Sequence, residues 1–143
     1  MKETKNNNKR VKRTSAMRRA DTAFSLYIRT RDSQDYEGVM FKCISCGRIL
    51  PIGQADAGHY INRSHMALRY SEDNVHAQCR RCNRFDEGNA QGYRQGLIEK
   101  IGWAKLKLME AQKYAQHRLT VTDLLIIADY YKQKVKEFKY KIK

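Results

Sequence analysis

Two cysteine pairs, Cys43-Ile44-Ser45-Cys46 and Cys79-Arg80-Arg81-Cys82, bracket Asp56, His59 and Asn74, and Asn83 follows the last cysteine directly. These are the residue types that metal-assisted hydrolysis uses. An imidazole is neutral near pH 7 and is the natural general base for activating a water, which assigns that role to His59. A carboxylate and an amide oxygen, here Asp56 and Asn83, suit a hard cation such as Mg²⁺ or Mn²⁺, which prefers oxygen ligands and keeps several waters. One carboxylate and one amide make a weak site that a substrate phosphate completes, the arrangement phosphodiester cleavage needs. Asn74 is assigned to hold the His59 ring in one tautomer by a hydrogen bond.

The cysteines carry a different chemistry. Two residues between thiolates let both sulfurs reach one ion at about 2.3 Å, and two such turns complete a tetrahedral site. All four cysteines of the chain are used, so Cys43, Cys46, Cys79 and Cys82 predict a structural Zn²⁺ with no open position. A redox pair of the thioredoxin kind would explain one Cys-x-x-Cys and leave the other idle. The 32 residues between the pairs are more than a zinc ribbon needs, so something is built inside the loop the metal closes. Apolar residues make up 41% of the chain, enough for a modest core, and small cores often need such a staple.

The formal net charge is +14, and it is concentrated at the ends. Residues 1–19 hold eight Lys/Arg against one acid, and residues 132–143 hold six Lys against one Glu. A near-neutral middle with two basic ends attracts a polyanion, and nucleic acid is the usual one. Arg80, Arg81, Arg84 and Arg63 add forked donors near the constellation that match phosphate oxygens. No apolar run approaches the roughly 20 residues of a membrane span, and the start lacks the apolar stretch of a secretory signal. The expectation is a cytoplasmic chain whose partner is DNA.

The spacing His59-x14-Asn74-x8-Asn83 resembles the His-Asn-His (HNH, ββα-metal) nuclease motif, often flanked by two Cys-x-x-Cys pairs. A closer resemblance lies in Asp21-Thr22-Ala23-Phe24-Ser25-Leu26-Tyr27-Ile28-Arg29, Cys43–Gly47, Asp56–Ile61, Asn74–Cys79, Gly92-Tyr93 and Gly96–Gly102. These stretches are similar to the NinG (Rap) recombination proteins of lambdoid phages, over about residues 20–102. The zinc-flanked layout is also similar to the junction-resolving endonuclease of T-even phages. The resemblance implies a bacteriophage protein with structure-specific DNA endonuclease action on Holliday junctions and other branched recombination intermediates. In one place the chain departs from the HNH pattern. Typical members put the metal-ligating acid or histidine directly before the base, whereas Gly58 stands there and the acid comes three residues before His59. Asp56 reaches the metal if the chain turns at Gly58; otherwise His59 ligates and another group is the base.

These residues need elements to hold them. The resemblance implies an α+β fold, a small zinc-stapled ββα-metal core flanked by α-helices. Residues 1–19 read as a disordered basic arm, 20–102 as the nuclease domain with an N-terminal helix, and 103–143 as C-terminal helices with a basic tail. Asp21 reads as an N-cap, with Phe24, Tyr27, Ile28 and Arg31 at helical spacing and an end near Asp32–Gly38. Residues 39–62 predict short strands around the knuckle, 63–73 a loop, and 74–87 a passage from strand or loop into a helix. From Asn89 the pattern is helical, with Tyr93, Leu97 and Ile101 four apart and Gly102 as a stop. A second stretch, 103–116, turns Leu106 and Met109 inward. Thr120 or Thr122 caps a last helix whose stripe is Leu124, Ile127, Tyr131, Val135, Phe138 and Ile142. That stripe either docks on its own core or pairs two copies as a homodimer. His76 reads as a packed histidine or a second metal ligand, and His65 and His117 as solvated.

Two other functions fit part of the pattern. A non-catalytic zinc-ribbon DNA-binding accessory protein would explain the charge and the cysteines but not the His59/Asn74/Asn83 spacing. A duplex-nicking HNH nuclease would explain the motif without branched DNA.

Overall fold

Helix α1 spans Arg13–Asp32 and buries Ala16, Ala20, Ala23, Phe24 and Ile28, a single stripe at helical spacing. A computed structural model describes residues 10–142 of the chain. Two antiparallel hairpins follow α1: β1 (Met40–Lys42) with β2 (Ile49–Pro51), and β3 (Ala55–His59) with β4 (Val75–Cys79). A short helix, α2 (Met66–Arg69), lies in the connection between β3 and β4. After β4 the chain makes a π-helical turn over Arg81–Phe85. It then forms α3 (Ala90–Ile101), α4 (Trp103–Ala111) and α5 (Val121–Glu137). The fold is α+β, with helices around small antiparallel sheets.

All five residues of β4 are buried. Val75 packs on one face against Phe24 and Ile28 of α1. On the other face, His76 meets the edge of the Tyr93 ring on α3. The free edge of β4 is covered as well. The Asp32 carboxylate, at the end of α1, accepts the Ala77 N–H at 2.7 Å and a Lys100 ammonium from α3 at 3.0 Å. Burial alone would raise Asp32, but its bonds to Arg31 and the nearby Lys100 bring it down to about 2. One carboxylate thus ties α1, β4 and α3 together.

The arm expected over residues 1–19 is corrected where the structure describes it. Residues 1–9 lie outside the described residues, but Arg13 onward is helical, and Ala16 and Ala20 are completely buried against Leu119, Leu124 and Ala128. Asp21 therefore sits mid-helix and caps nothing. The stripe on α5 docks on α1: Leu124 and Ala128 meet Ala16 and Ala20, and further along Tyr131 meets Phe24 at 4.8 Å between ring centroids. The two helices run parallel. Thr120, of the two candidate caps, closes a capping box with Asp123. The 63–73 loop contains α2, and the helix expected after β4 is a single π-turn before α3.

Candidate functional site

The first hairpin presents Cys43 and Cys46, while β4 and the π-turn present Cys79 and Cys82. All four sulfurs lie within 4.8 Å of one another. A tetrahedron with metal–sulfur bonds of about 2.3 Å has edges near 3.8 Å, and Cys46 Sγ and Cys79 Sγ are 3.9 Å apart. The donor set and its size fit zinc. The Cys79 N–H points at Cys43 Sγ at 3.3 Å and the Asn89 amide at Cys82 Sγ at 3.5 Å, donors that a thiolate attracts. Helix α3 backs this knuckle closely. A Cβ on Gly92 or Gly96 would collide with the carbonyl oxygens of Ser45 and Ile44. The glycines quoted above are therefore the price of packing a helix against a metal turn.

His59 ends β3. Its Nε2 lies 2.9 Å from the Arg69 carbonyl oxygen. A carbonyl only accepts, so Nε2 carries the proton and the lone pair sits on Nδ1. Asn74 does not touch the ring, which corrects the role expected for it. Fully buried, it accepts the Ile61 N–H at 2.8 Å and donates to the carbonyls of Ile61 and Leu68 at 2.9 and 3.0 Å. It pins both sides of the β3–β4 connection and so positions the segment that bears the Arg69 carbonyl. Arg69 is held from α1, where Asp21 takes its guanidinium through two bonds of 2.9 and 2.6 Å and accepts the Tyr70 hydroxyl at 2.7 Å. Burial pushes His59 below the ordinary imidazole value, and the Arg69 and Arg63 charges push the same way against the carbonyl bond. The ring is neutral at pH 7.

Asp56, His59 and Asn83 line one cavity of about 470 Å³, together with Asp21, Ser25, Arg29, Arg63, Arg69, Arg80 and Arg84. His59, Arg63 and Asn83 also border an adjoining cavity of about 540 Å³ that reaches Tyr93. The chain does not turn at Gly58. It stays extended there, in register with His76, and a Cβ would strike the buried Gln78 side chain. Asp56 reaches the cleft without that turn. Its carboxylate is chelated by Arg84 through two bonds of 2.8 Å and accepts the Asn83 amide at 3.0 Å. Burial opposes ionisation of Asp56, but Arg84 and Asn83 prevail and lower it.

Of the arginines named from sequence, Arg63, Arg80 and Arg84 line the cleft. Arg81 does not; it faces Asp86 at 3.8 Å and borders neither cavity, because the π-turn carries it away. Arg29 of α1 joins the wall, a residue whose helical face could be read only once α1 was placed. His76 is a packed histidine, 2% exposed, 3.5 Å from the Tyr93 hydroxyl.

Burial first, then Lys100 and Arg31, pushes His76 down to about 3. The unfolded chain takes up this proton below about pH 6.5, while the folded chain stays neutral until about pH 3. Its stability contribution is therefore complete above 6.5 and falls as pH is lowered through that window, at up to about 1.4 kcal/mol per pH unit. Urea unfolding from pH 7 to 5, in excess zinc, is expected to show a steeper loss for the native chain than for His76→Gln.

Among the described residues no helix is long and apolar enough to cross a membrane. A family model described as bacteriophage lambda NinG protein matches residues 1–141. Protein ninG of Salmonella phage P22 is 37% identical over 124 residues, which is 86% of this chain and 57% of that protein. The ninG proteins of Escherichia phage lambda and Escherichia phage 933W are each 36% identical over 124 residues, 86% of this chain and 57% and 58% of theirs. The chain thus spans a little over half the length of the curated relatives it matches. No solved structure matches it. With its four-cysteine cluster and its match over nearly the whole sequence, the chain belongs to the family of bacteriophage lambda NinG proteins.

Proposed function

We propose that the chain is a metal-dependent DNA endonuclease that hydrolyses phosphodiester bonds in branched recombination intermediates such as Holliday junctions. The observation that carries this reading is the His59 ring, held through Nε2 with Nδ1 left basic, at an arginine-lined cleft shared with Asp56 and Asn83. In this reading β3, β4 and the turn bearing Asn83 do the work of a ββα-metal core. His59 Nδ1 takes a proton from a water, the water oxygen attacks phosphorus, and the bond to the leaving 3′-oxygen breaks. Asp56 and Asn83 would hold Mg²⁺ or Mn²⁺, which supplies charge stabilisation at the phosphate. Arg84 then leaves the Asp56 carboxylate for a phosphate oxygen, and the Asn83 amide turns its oxygen inward.

The placement of the charge supports a DNA substrate. One basic end lies by Arg10, Lys12, Arg13 and Arg118, where α1 and α5 begin, and Lys132, Lys134 and Lys136 lie in the last turns of α5. The 20 residues of α1 separate these ends by about 30 Å, nine base pairs of duplex. Asp21, Ser25 and Arg29 of the cleft fall between them. Paired nicks across a junction call for two copies of the chain.

The Arg84–Asp56 chelate favours the second reading, a non-catalytic zinc-dependent DNA-binding accessory protein in which Asp56 and Asn83 are structural. Zinc-loaded protein incubated with an end-labelled four-way junction, a Y-shaped fork and matching duplex separates them. Cuts near the branch with Mg²⁺ and none without a divalent cation support the endonuclease. Junction binding with no cut in Mg²⁺ or Mn²⁺ supports the accessory protein. Equal cutting of duplex and junction supports a duplex-nicking enzyme.

A further inference from the structure

Phe85 ends the π-turn that carries Asn83 and Arg84, and the residue is 79% exposed. Among the described residues it differs from the other strongly exposed aromatics. Trp103 has Arg94 and Lys107 over its ring, Tyr114 has Lys113 and the edge of His65, and Tyr130 has Lys134 and Tyr131. Among the described residues Phe85 has no stacking or cationic partner. Its backbone surroundings are unusual too: Glu87, Gly88 and Asn89 all have positive φ, so the chain reverses sharply behind the ring. π-Helical turns are rare and occur frequently at functional sites.

The segment that carries the ring is basic. Arg80 and Arg84, which line the cleft, precede it in the same segment, and Arg81 and Asp86 on either side are paired with each other. A bare aromatic face among arginines fits a nucleobase that has lost a stacking neighbour, since stacking on an aromatic is favourable for every base. In a continuous duplex both faces of each base are covered. At a branch point, faces become available, and apolar wedges are inserted where base steps are easily opened.

We propose that Phe85 is the branch-sensing residue of this protein, stacking on the base at the discontinuity and thereby placing the scissile phosphate in the cleft. This inference rests on the branched-DNA reading above. Phe85 is two positions from Asn83, within about 7 Å along the chain, and a stacked strand advances about 3.4 Å per base. The cut therefore falls within about two nucleotides of the branch.

The test uses the full zinc-loaded chain and a four-way junction with 2-aminopurine at the branch, with Ca²⁺ in place of Mg²⁺. Affinity for the junction and for linear duplex is measured by anisotropy. Phe85→Ala is expected to lose the preference for junction over duplex by roughly ten-fold, with duplex affinity and thermal midpoint unchanged. It should also lose the 2-aminopurine fluorescence change. Phe85→Trp is expected to restore both. If Phe85→Ala keeps the native preference and the native fluorescence change, the branch-sensing role is overturned while the nuclease reading stands. If the native chain itself shows no preference for the junction, the branched-substrate reading falls, and this inference with it.

Discussion

His59→Ala is expected to lower junction cleavage by roughly a thousand-fold while leaving affinity for DNA unchanged. The separation follows from where the groups sit. The positive charge lining the cleft includes Arg29, Arg63, Arg80 and Arg84, which the substitution leaves in place, whereas it removes His59 Nδ1, the ring nitrogen that the Arg69 contact leaves basic. Binding by anisotropy and single-turnover cleavage, measured on the same junction, check the two halves independently. Asp21→Asn makes a graded comparison. It weakens the two-bond grip on Arg69 and so loosens the carbonyl that orients the ring, without touching the reacting atoms. Its cleavage should fall by roughly ten-fold, the scale seen when groups behind a functional imidazole are altered. The acid limb of its pH–rate profile should also move, because Asp21 is one of the charges acting on His59. A His59→Ala variant that still cuts in Mg²⁺ would move the base elsewhere in the cleft and make the Arg69 contact purely structural.

Loss of zinc is expected to unfold the middle of the molecule, not merely to slow it. Structural zinc contributes apparent free energies of about 10–16 kcal/mol, against a net stability of about 5–15 kcal/mol for an ordinary domain. Cys79 is nearly inaccessible and belongs to the same buried cluster as Phe41, Ala55 and Ala77. Removing the metal leaves four mutually close sulfurs and takes away the bonds that tie the first hairpin to β4 and the π-turn. Cys79→Ser should express without bound zinc, show reduced far-ultraviolet ellipticity and lose the cooperative thermal transition. One equivalent of zinc per native chain, by elemental analysis, is the companion measurement. A native-like melt in the zinc-free variant would mean that the helices alone sustain the fold.

What could be read from the sequence was whatever side chains carry by themselves. The four cysteines announced their cluster, Gly102 ended α3, and a threonine at 120 or 122 announced the start of α5, which the capping box with Asp123 assigns to Thr120. The start of α1 was hidden because positive charge between residues 9 and 19 masked two alanines, Ala16 and Ala20, whose spacing and full burial mark an inward face. An amide in the same polar cluster as a histidine points to a bond with its ring, which is the role the sequence suggests for Asn74. Its actual partners are main-chain groups of Ile61 and Leu68, which leave no trace in residue identity. Arg81 and Arg84 were equivalent as letters; the π-turn separated them.

The contact between His59 and the main chain at residue 69 has an evolutionary side. The oxygen that dictates which imidazole nitrogen is protonated belongs to the peptide backbone, so no codon encodes it. Substitution at 69 can erode the grip of α1 and still leave the oxygen where it was, provided α2 keeps its shape. A mutational scan will therefore score the side chains that shape α2 and never the atom itself. Drifting relatives can exchange Asp21 and Arg69 for other partners while passing on the same tautomer, inherited as a fold and not as a residue.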